Sequence, residues 1–283
     1  SDRPRGRGTR PLAVPQRHQT GREAMTILHY DVDATRRLLS VYETRDVAAQ
    51  RAAFLQALSP RPAERVIDVG AGPGLLCAAI AEAVGAEGRV CGVDVSEPLL
   101  DFARSRCAAF PQAEFLLADA TRLPLPDACF DAAISTQVLE YVPDVDAALA
   151  EIRRVLRPGG RAVIVDTDWS TLVWKAPDPL RAARVLAAWN LHVPDPHLPR
   201  TLARRLERAG LPLQSAQVLP LFNPAFAEAT YSNRLIDLIV AYVSAQGEAG
   251  ADEAREWAST LRAAGAAGEW FFSLNRYLFI ARR

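Results

Sequence analysis

A doubly wound α/β fold is what this sequence predicts, and three observations carry it. Strands and helices alternate from residue 65 to residue 166, the strands are near-continuous apolar runs, and the first strand-to-helix turn is built on glycine. Apolar strands separated by helices imply a parallel sheet buried on both faces. Right-handed crossovers then place helices on either side of it.

The elements follow in order. Residues 1–24 are rich in Arg, Pro, Gly and Thr without apolar periodicity and read as a disordered basic tail. Residues 25–58 read as a helical N-terminal lid of two short helices, with Asp33 and Thr44 as N-caps and Leu38, Leu39, Val41 and Tyr42 as an apolar stripe. Residues 59–170 form the α/β core. Its strands are expected at Arg65–Val69, Arg89–Val95, Glu114–Ala118, Phe130–Thr136 and Arg161–Asp166, the last after a Pro158-Gly159-Gly160 turn. Its helices are expected at Leu75–Val84, Pro98–Ala108 and Val145–Leu156. Residues 171–283 change pattern: helices at Pro179–Trp189, Thr201–Ala209, Asn233–Ala245 and Ala251–Ala264, and strand candidates at Leu213–Leu221 and Trp270–Ala281. The two late strands complete a seven-stranded, mostly parallel sheet, and the helices between them form a cap insertion.

Composition narrows the function classes. The formal net charge is zero, which opposes a general attraction to nucleic acid or to an anionic membrane surface. No apolar run reaches the length that spans a bilayer. Cys77, Cys91, Cys107 and Cys129 form no C-x-x-C pair and have no histidine at metal-ligand spacing, so they read as core thiols of a reducing, cytoplasmic protein and no metal is expected.

The chemistry concentrates in Val66-Ile67-Asp68-Val69-Gly70-Ala71-Gly72-Pro73-Gly74. Glycines at such a turn let the backbone bend sharply and let a ligand approach it closely. In open α/β sheets the ligand crevice lies outside the carboxyl ends of the strands, where strand order reverses. A dinucleotide fingerprint requires a third glycine three residues after the second, and here the run is G-A-G-P-G. Asp68 beside the turn opposes a polyanion and suits a cationic ligand. Asp94, in Gly92-Val93-Asp94-Val95, stands where an acidic residue accepts ribose hydroxyls.

In these residues the chain resembles the class I S-adenosylmethionine-dependent methyltransferases, and most closely their branch of ubiquinone and menaquinone methyltransferases and natural-product enzymes. Asp68-Val69-Gly70-Ala71-Gly72-Pro73-Gly74 matches their first motif. The resemblance covers about residues 60–168 and implies a Rossmann-like sheet and S-adenosylmethionine as cofactor. It implies that Asp68, Gly70, Ala71, Gly72 and Gly74 surround the amino-acid end of the cofactor, that Asp94 and Val95 take the ribose side, and that Asp119 and Ala120 take the adenine. Gln137 and Val138, after the fourth strand, then face the cofactor and the acceptor. Tyr141 stands where the quinone enzymes often carry histidine.

The expected partner is a small-molecule acceptor, apolar or aromatic, bound by a monomer or homodimer. Nucleic-acid amine methylation is disfavoured, because Ser135-Thr136-Gln137-Val138 replaces an N-P-P-Y-like run. Asp168, just after strand five, ranks first as a general base, with His197 second. His29, Tyr30, Trp169 and Arg200 are expected to border the acceptor, and His192 is a further base candidate. A cofactor-binding protein without catalysis and a dinucleotide oxidoreductase are the competing readings.

Overall fold

The computed structural model describes residues 39–283. Its strands are β1 (Arg65–Val69), β2 (Arg89–Asp94), β3 (Ala113–Leu117), β4 (Phe130–Thr136), β5 (Leu156–Thr167), β6 (Val173–Trp174), β7 (Leu213–Asn223) and β8 (Phe272–Arg282). Its helices are α1 (Arg45–Leu58), α2 (Leu75–Val84), α3 (Glu97–Arg106), α4 (Val145–Val155), α5 (Pro179–Trp189), α6 (Pro199–Arg208), α7 (Tyr231–Ala245) and α8 (Glu248–Ala266). The expected tail, the Asp33 cap, His29 and Tyr30 lie outside the described residues.

The sheet order is β3-β2-β1-β4-β5-β8-β6, with β7 also paired to β8. β1 to β5 are parallel, and β6, β7 and β8 join by antiparallel ladders. The order reverses between β1 and β4, which opens the crevice above their carboxyl ends. β1, β2 and β4 are buried along nearly their whole length, as strands covered on both faces must be.

Successive side chains leave the strands on opposite faces. Ile67, Val69, Ala133 and Ile164 meet α4 and α6 on one face. Val66, Ala132, Val163 and Val165 meet α1 and α2 on the other. A third apolar cluster belongs to the cap, where α5, α7 and α8 pack Trp174, Trp189, Ile236, Ile239 and Trp257 together with Phe272 and Leu274 of β8.

The sheet has eight strands rather than seven. β8 pairs with β7 on one flank; on the other it pairs with β5 through Arg276–Arg282 and with β6 through Phe272 and Ser273. β6 thus continues the line of β5 after a break at residues 168–172. The break is filled by a short 3-10 turn, and the Thr171 hydroxyl accepts the N–H of Asn275 there. Pro158-Gly159-Gly160 lies inside β5, because Leu156 already pairs with Phe130, and the ladder shifts register before Arg161 meets Ala132.

Sequence logic explains the helix starts. Asp144 caps α4 by accepting the N–H of Ala147, and Asp178 caps α5 by accepting that of Arg181, with Pro179 following. Thr44 sits at the N-cap of α1 but donates its hydroxyl to the Val41 carbonyl instead. α7 receives its cap from far away in sequence. The Asp46 carboxylate on α1 accepts the Tyr231 N–H at 3.0 Å and the Asn223 side-chain amide at 3.2 Å. Gln50, one turn on, donates to the Leu219 carbonyl at 3.1 Å. These contacts latch α1 onto the cap.

Asp46→Ala should lower stability by about 1–2 kcal/mol, the usual worth of a helix cap aided by the helix dipole. Chemical denaturation reads the loss, and amide exchange should speed up in the first turn of α7 while α4 stays unchanged.

Candidate active site

The glycine turn is held by backbone hydrogen bonds. Gly70 and Ala71 both donate to the Val93 carbonyl, at 2.7 and 2.9 Å, tying the end of β1 to the end of β2. Gly70, Gly72 and Gly74 all have positive φ. Gly70 has no room for a side chain, because a Cβ there would fall 2.0 Å from a methyl of Val138. Gly72 is the opposite case: φ is +51° and nothing lies within 4 Å of where its Cβ would be. Its backbone is open to a ligand.

Acidic groups surround this cradle. Asp94 accepts the N–H of Gly72 at 2.8 Å and that of Ser96 at 2.9 Å. Burial pushes its carboxyl up, and those N–H bonds partly offset the rise. Asp68 is buried beneath the turn, where one oxygen accepts the Cys77 thiol at 3.3 Å and the other has no partner among the described residues. Burial raises its pKa to about 7. Val95 projects from the end of β2 with 65% of its surface exposed. Asp119, after β3, accepts the Thr121 N–H and hydroxyl, while Ala120 is buried beside it.

β4 ends in a bent segment. Gln137 has φ +59°, a conformation a residue with a side chain holds only at a cost of about 1–3 kcal/mol. Its N–H donates to the Val165 carbonyl at 2.7 Å, and its side-chain carbonyl accepts the Thr167 hydroxyl at 2.5 Å. Beyond it, Asp166 accepts the N–H groups of Val138 and Glu140 at 3.1 and 3.3 Å. Glu140 in turn accepts the Thr167 N–H at 3.1 Å. Each acid therefore braces the other's strand. Both are buried, and burial drives both carboxyls up.

Asp168 stands at the break after β5. It accepts Arg200 Nε at 2.7 Å, His197 Nδ1 at 3.1 Å, and the Ser170 hydroxyl and N–H at 2.7 and 3.1 Å. Burial alone would raise its pKa, but Arg200, Ser170 and His197 outweigh it and hold the carboxyl at about 2. The structure thus brings Asp168, His197 and Arg200 together as one ion cluster.

Trp169 turns the other way, into the cap. His192 stacks on Trp189 with ring centres 3.8 Å apart, and Trp169 meets both rings edge-on. Tyr141 and Tyr242 complete the group, 5.9 and 6.0 Å from the imidazole. His192 Nδ1 pairs with the Trp189 carbonyl at 2.6 Å, Nε2 has no partner among the described residues, and burial lowers the pKa to about 4.

The residues present suit a ligand that is cationic at one end. The cradle is open at Gly72, a buried carboxylate oxygen of Asp68 lacks a partner, and Asp94 lies at the rim.

Comparison with known proteins points the same way. Residues 67–164 match the model of a methyltransferase domain. The chain is 33% identical over 282 residues to an uncharacterised 37.1 kDa protein from a Streptomyces fradiae transposon, covering 96% of this chain and 78% of that one. It is 31% identical over 162 residues to the demethylmenaquinone methyltransferase of Symbiobacterium thermophilum, covering 56% of this chain and 63% of that enzyme. The chain belongs to the class I S-adenosylmethionine-dependent methyltransferases. S-adenosylmethionine is accordingly its cofactor. A solved structure from Bacillus halodurans shares the fold, with a TM-score of 0.58 at 19% identity over 83% of this chain and 98% of that one. The match to the menaquinone enzyme spans less than two thirds of that protein.

Glu140, Asp166, Gln50 and Arg276 escaped sequence reasoning as site residues. A signal existed for two of them. Asp166 extends the apolar run Val163-Ile164-Val165, and Arg276 falls between Leu274 and Leu278 on one face of a buried strand.

Because the folded pKa of Asp68 is raised from 3.8 to about 7, the favoured state of the empty protein is the protonated one. Its stabilising effect is complete below pH 3.8 and is lost as pH rises through about 7. Asp68→Asn removes that loss. The melting temperature of the variant minus that of the wild type should therefore climb from pH 4 to pH 7 and then level off, by a few degrees in differential scanning. A pH-independent difference would show that Asp68 titrates normally.

Proposed function

We propose that this methyltransferase acts on a small-molecule acceptor, apolar or aromatic and natural-product-like, held between the carboxyl ends of β4 and β5 and the helical cap. The observation that carries this reading is the ring cluster of Trp169, Trp189, His192, Tyr141 and Tyr242 beside the bent end of β4. Binding pockets of small molecules are mostly apolar with a few fixed polar groups. The likeness to a demethylmenaquinone methyltransferase supports a ring-containing acceptor.

On this reading Asp68, Gly70, Ala71, Gly72 and Gly74 hold the amino-acid end of S-adenosylmethionine. Asp94 and Val95 hold the ribose side, Asp119 and Ala120 the adenine, and Gln137 and Val138 face the reacting region. When bound, the sulfonium supplies an already activated methyl group. The protein's part is placement, and alignment of reactants is worth about 7–11 kcal/mol in favourable cases. Gln137 is suited to orient an acceptor oxygen, because its buried side-chain NH2 has no partner among the described residues.

Asp168 and His197 take a different role from the proton acceptor that their position suggests. A carboxylate held at about pKa 2 by Arg200, Ser170 and His197 is a weak base. We assign the cluster to fixing the turn that aims Trp169 into the cap, with Arg200 as its clamp rather than an acceptor contact.

Calorimetric titration tests the cofactor side first. S-adenosylmethionine should bind the wild type, NAD should not, and Asp94→Ala should weaken S-adenosylmethionine at least tenfold. Incubation with panels of phenols, aromatic amines and activated ring carbons should then give a product heavier by one methyl group together with S-adenosylhomocysteine. Preference for NAD, or methylation confined to protein or RNA, would overturn the reading.

A further inference from the structure

Outside the cofactor cradle, the group least explained by stability is Arg276. It lies on β8 and is 3% exposed. It pairs across the ladder with Thr167, so both side chains leave the sheet on the same face, at the carboxyl end of β5. Thr167 is the residue that bonds Gln137. Arg276 therefore stands against the crevice and not in the depth of the core.

Its surroundings are unusual for a buried cation. Nη1 donates to Gln50 on α1 at 2.6 Å, and Nε is buried without a partner among the described residues. The guanidinium lies over the Tyr231 ring, 5.3 Å from its centre. No ion pair joins it to a carboxylate among the described residues; its charge reaches Glu140, and burial drives that acid toward its neutral form. Its positive charge acts on Tyr42, Tyr231 and Glu140, which places all three around it. A guanidinium keeps its charge in proteins, and burying one without a counter-ion costs several kcal/mol.

Gln50 occupies one terminal nitrogen and the Tyr231 side chain also bonds the guanidinium, so the buried Nε is the donor left to a ligand. A charged N–H donor of this kind matches the oxygen of a carboxylate. Gln50 is itself held by its bond to the Leu219 carbonyl, which fixes the guanidinium's orientation before anything binds.

We propose that Arg276 is the specificity anchor for an acceptor bearing a carboxylate, set beside the aromatic cap so that the preferred substrate is an aromatic or apolar acid. This rests on the crevice being the acceptor's site, as proposed above. The carboxylate supplies the counter-charge that the site lacks, and the rings of the cap take the apolar body. Neutral acceptors of the same shape leave the cation buried and unpaired, so they are discriminated against.

The test uses 2-naphthoate and its neutral methyl ester as probes, titrated calorimetrically into full-length protein saturated with S-adenosylhomocysteine. The wild type should bind the acid at least tenfold more tightly than the ester. Arg276→Gln should abolish that preference and Arg276→Lys should keep part of it, while S-adenosylhomocysteine affinity and the melting temperature of the loaded protein stay close to wild type. Equal binding of acid and ester, a preference that survives in Arg276→Gln, or binding of neither probe by the loaded wild type would overturn the proposal. If the wild type takes up no S-adenosylhomocysteine, the cofactor reading fails first, and the acid–ester difference in the free protein then decides the role of Arg276 by the same criteria.

Discussion

The crevice depends on the exchange of backbone hydrogen bonds between Asp166 and Glu140. β4 must stop at Thr136 and turn out of the sheet if the ends of β1 and β4 are to part. The turn exposes N–H groups that no longer have a strand partner, and such groups are expensive to bury unpaired. Asp166 takes those of Val138 and Glu140, and Glu140 takes that of Thr167. The bent segment then presses Val138 against the glycine turn so closely that only glycine fits at residue 70. The glycine of the first motif and the acids after the fourth and fifth strands are thus parts of one constraint.

That constraint has an electrostatic consequence. Burial lifts Asp68, Glu140 and Asp166 alike, while Asp168, only two residues from Asp166, is pulled down. The difference lies in partners. Asp166 and Glu140 receive backbone N–H groups and no ion pair among the described residues, and burial outweighs the pull of Arg276 on Glu140; Asp168 has Arg200 and His197. By linkage, the raised acids weaken the empty fold as they ionise, whereas Asp168 strengthens it above the pKa of the unfolded chain and loses that effect as pH falls through about 2. The carboxyl ends of the strands concentrate carboxyls that resist ionising, and on the cofactor placement we propose a cationic ligand relieves that cost.

The core of the fold was legible because its signals are local. The apolar strands, the glycine spacing and the Pro179 helix start each depend on a few adjacent residues, and β1, α2 and α5 fall where those signals place them. What escaped is non-local. Nothing near Asp46 says that it would cap a helix starting at Tyr231. The two-residue β6 exists only because β8 offers it a flank beyond the end of β5. Asp168 follows a strand, but what holds its carboxyl low is Ser170 beside it together with Arg200 and His197 about thirty positions on. Arg276 could have been flagged by its inward phase, but its role as a cation needing a partner follows only from what surrounds it.

The cap is packed as a unit of its own, with a tryptophan-rich cluster separate from the two clusters that cover the sheet. β8 joins them, since Phe272 and Leu274 belong to the cap and Leu278 to the sheet core. Arg276 falls on the same face between those two sets, where neither apolar cluster can absorb it. A buried charge at the seam between two cores is tolerated only if the seam is a place where something else completes it. The same seam carries Gln50 and the Asp46 latch, so α1 ties the sheet to the cap there. On the acceptor site we propose, acceptor choice changes through cap residues and Arg276 while the Asp166–Glu140 brace and the glycine turn stay as they are.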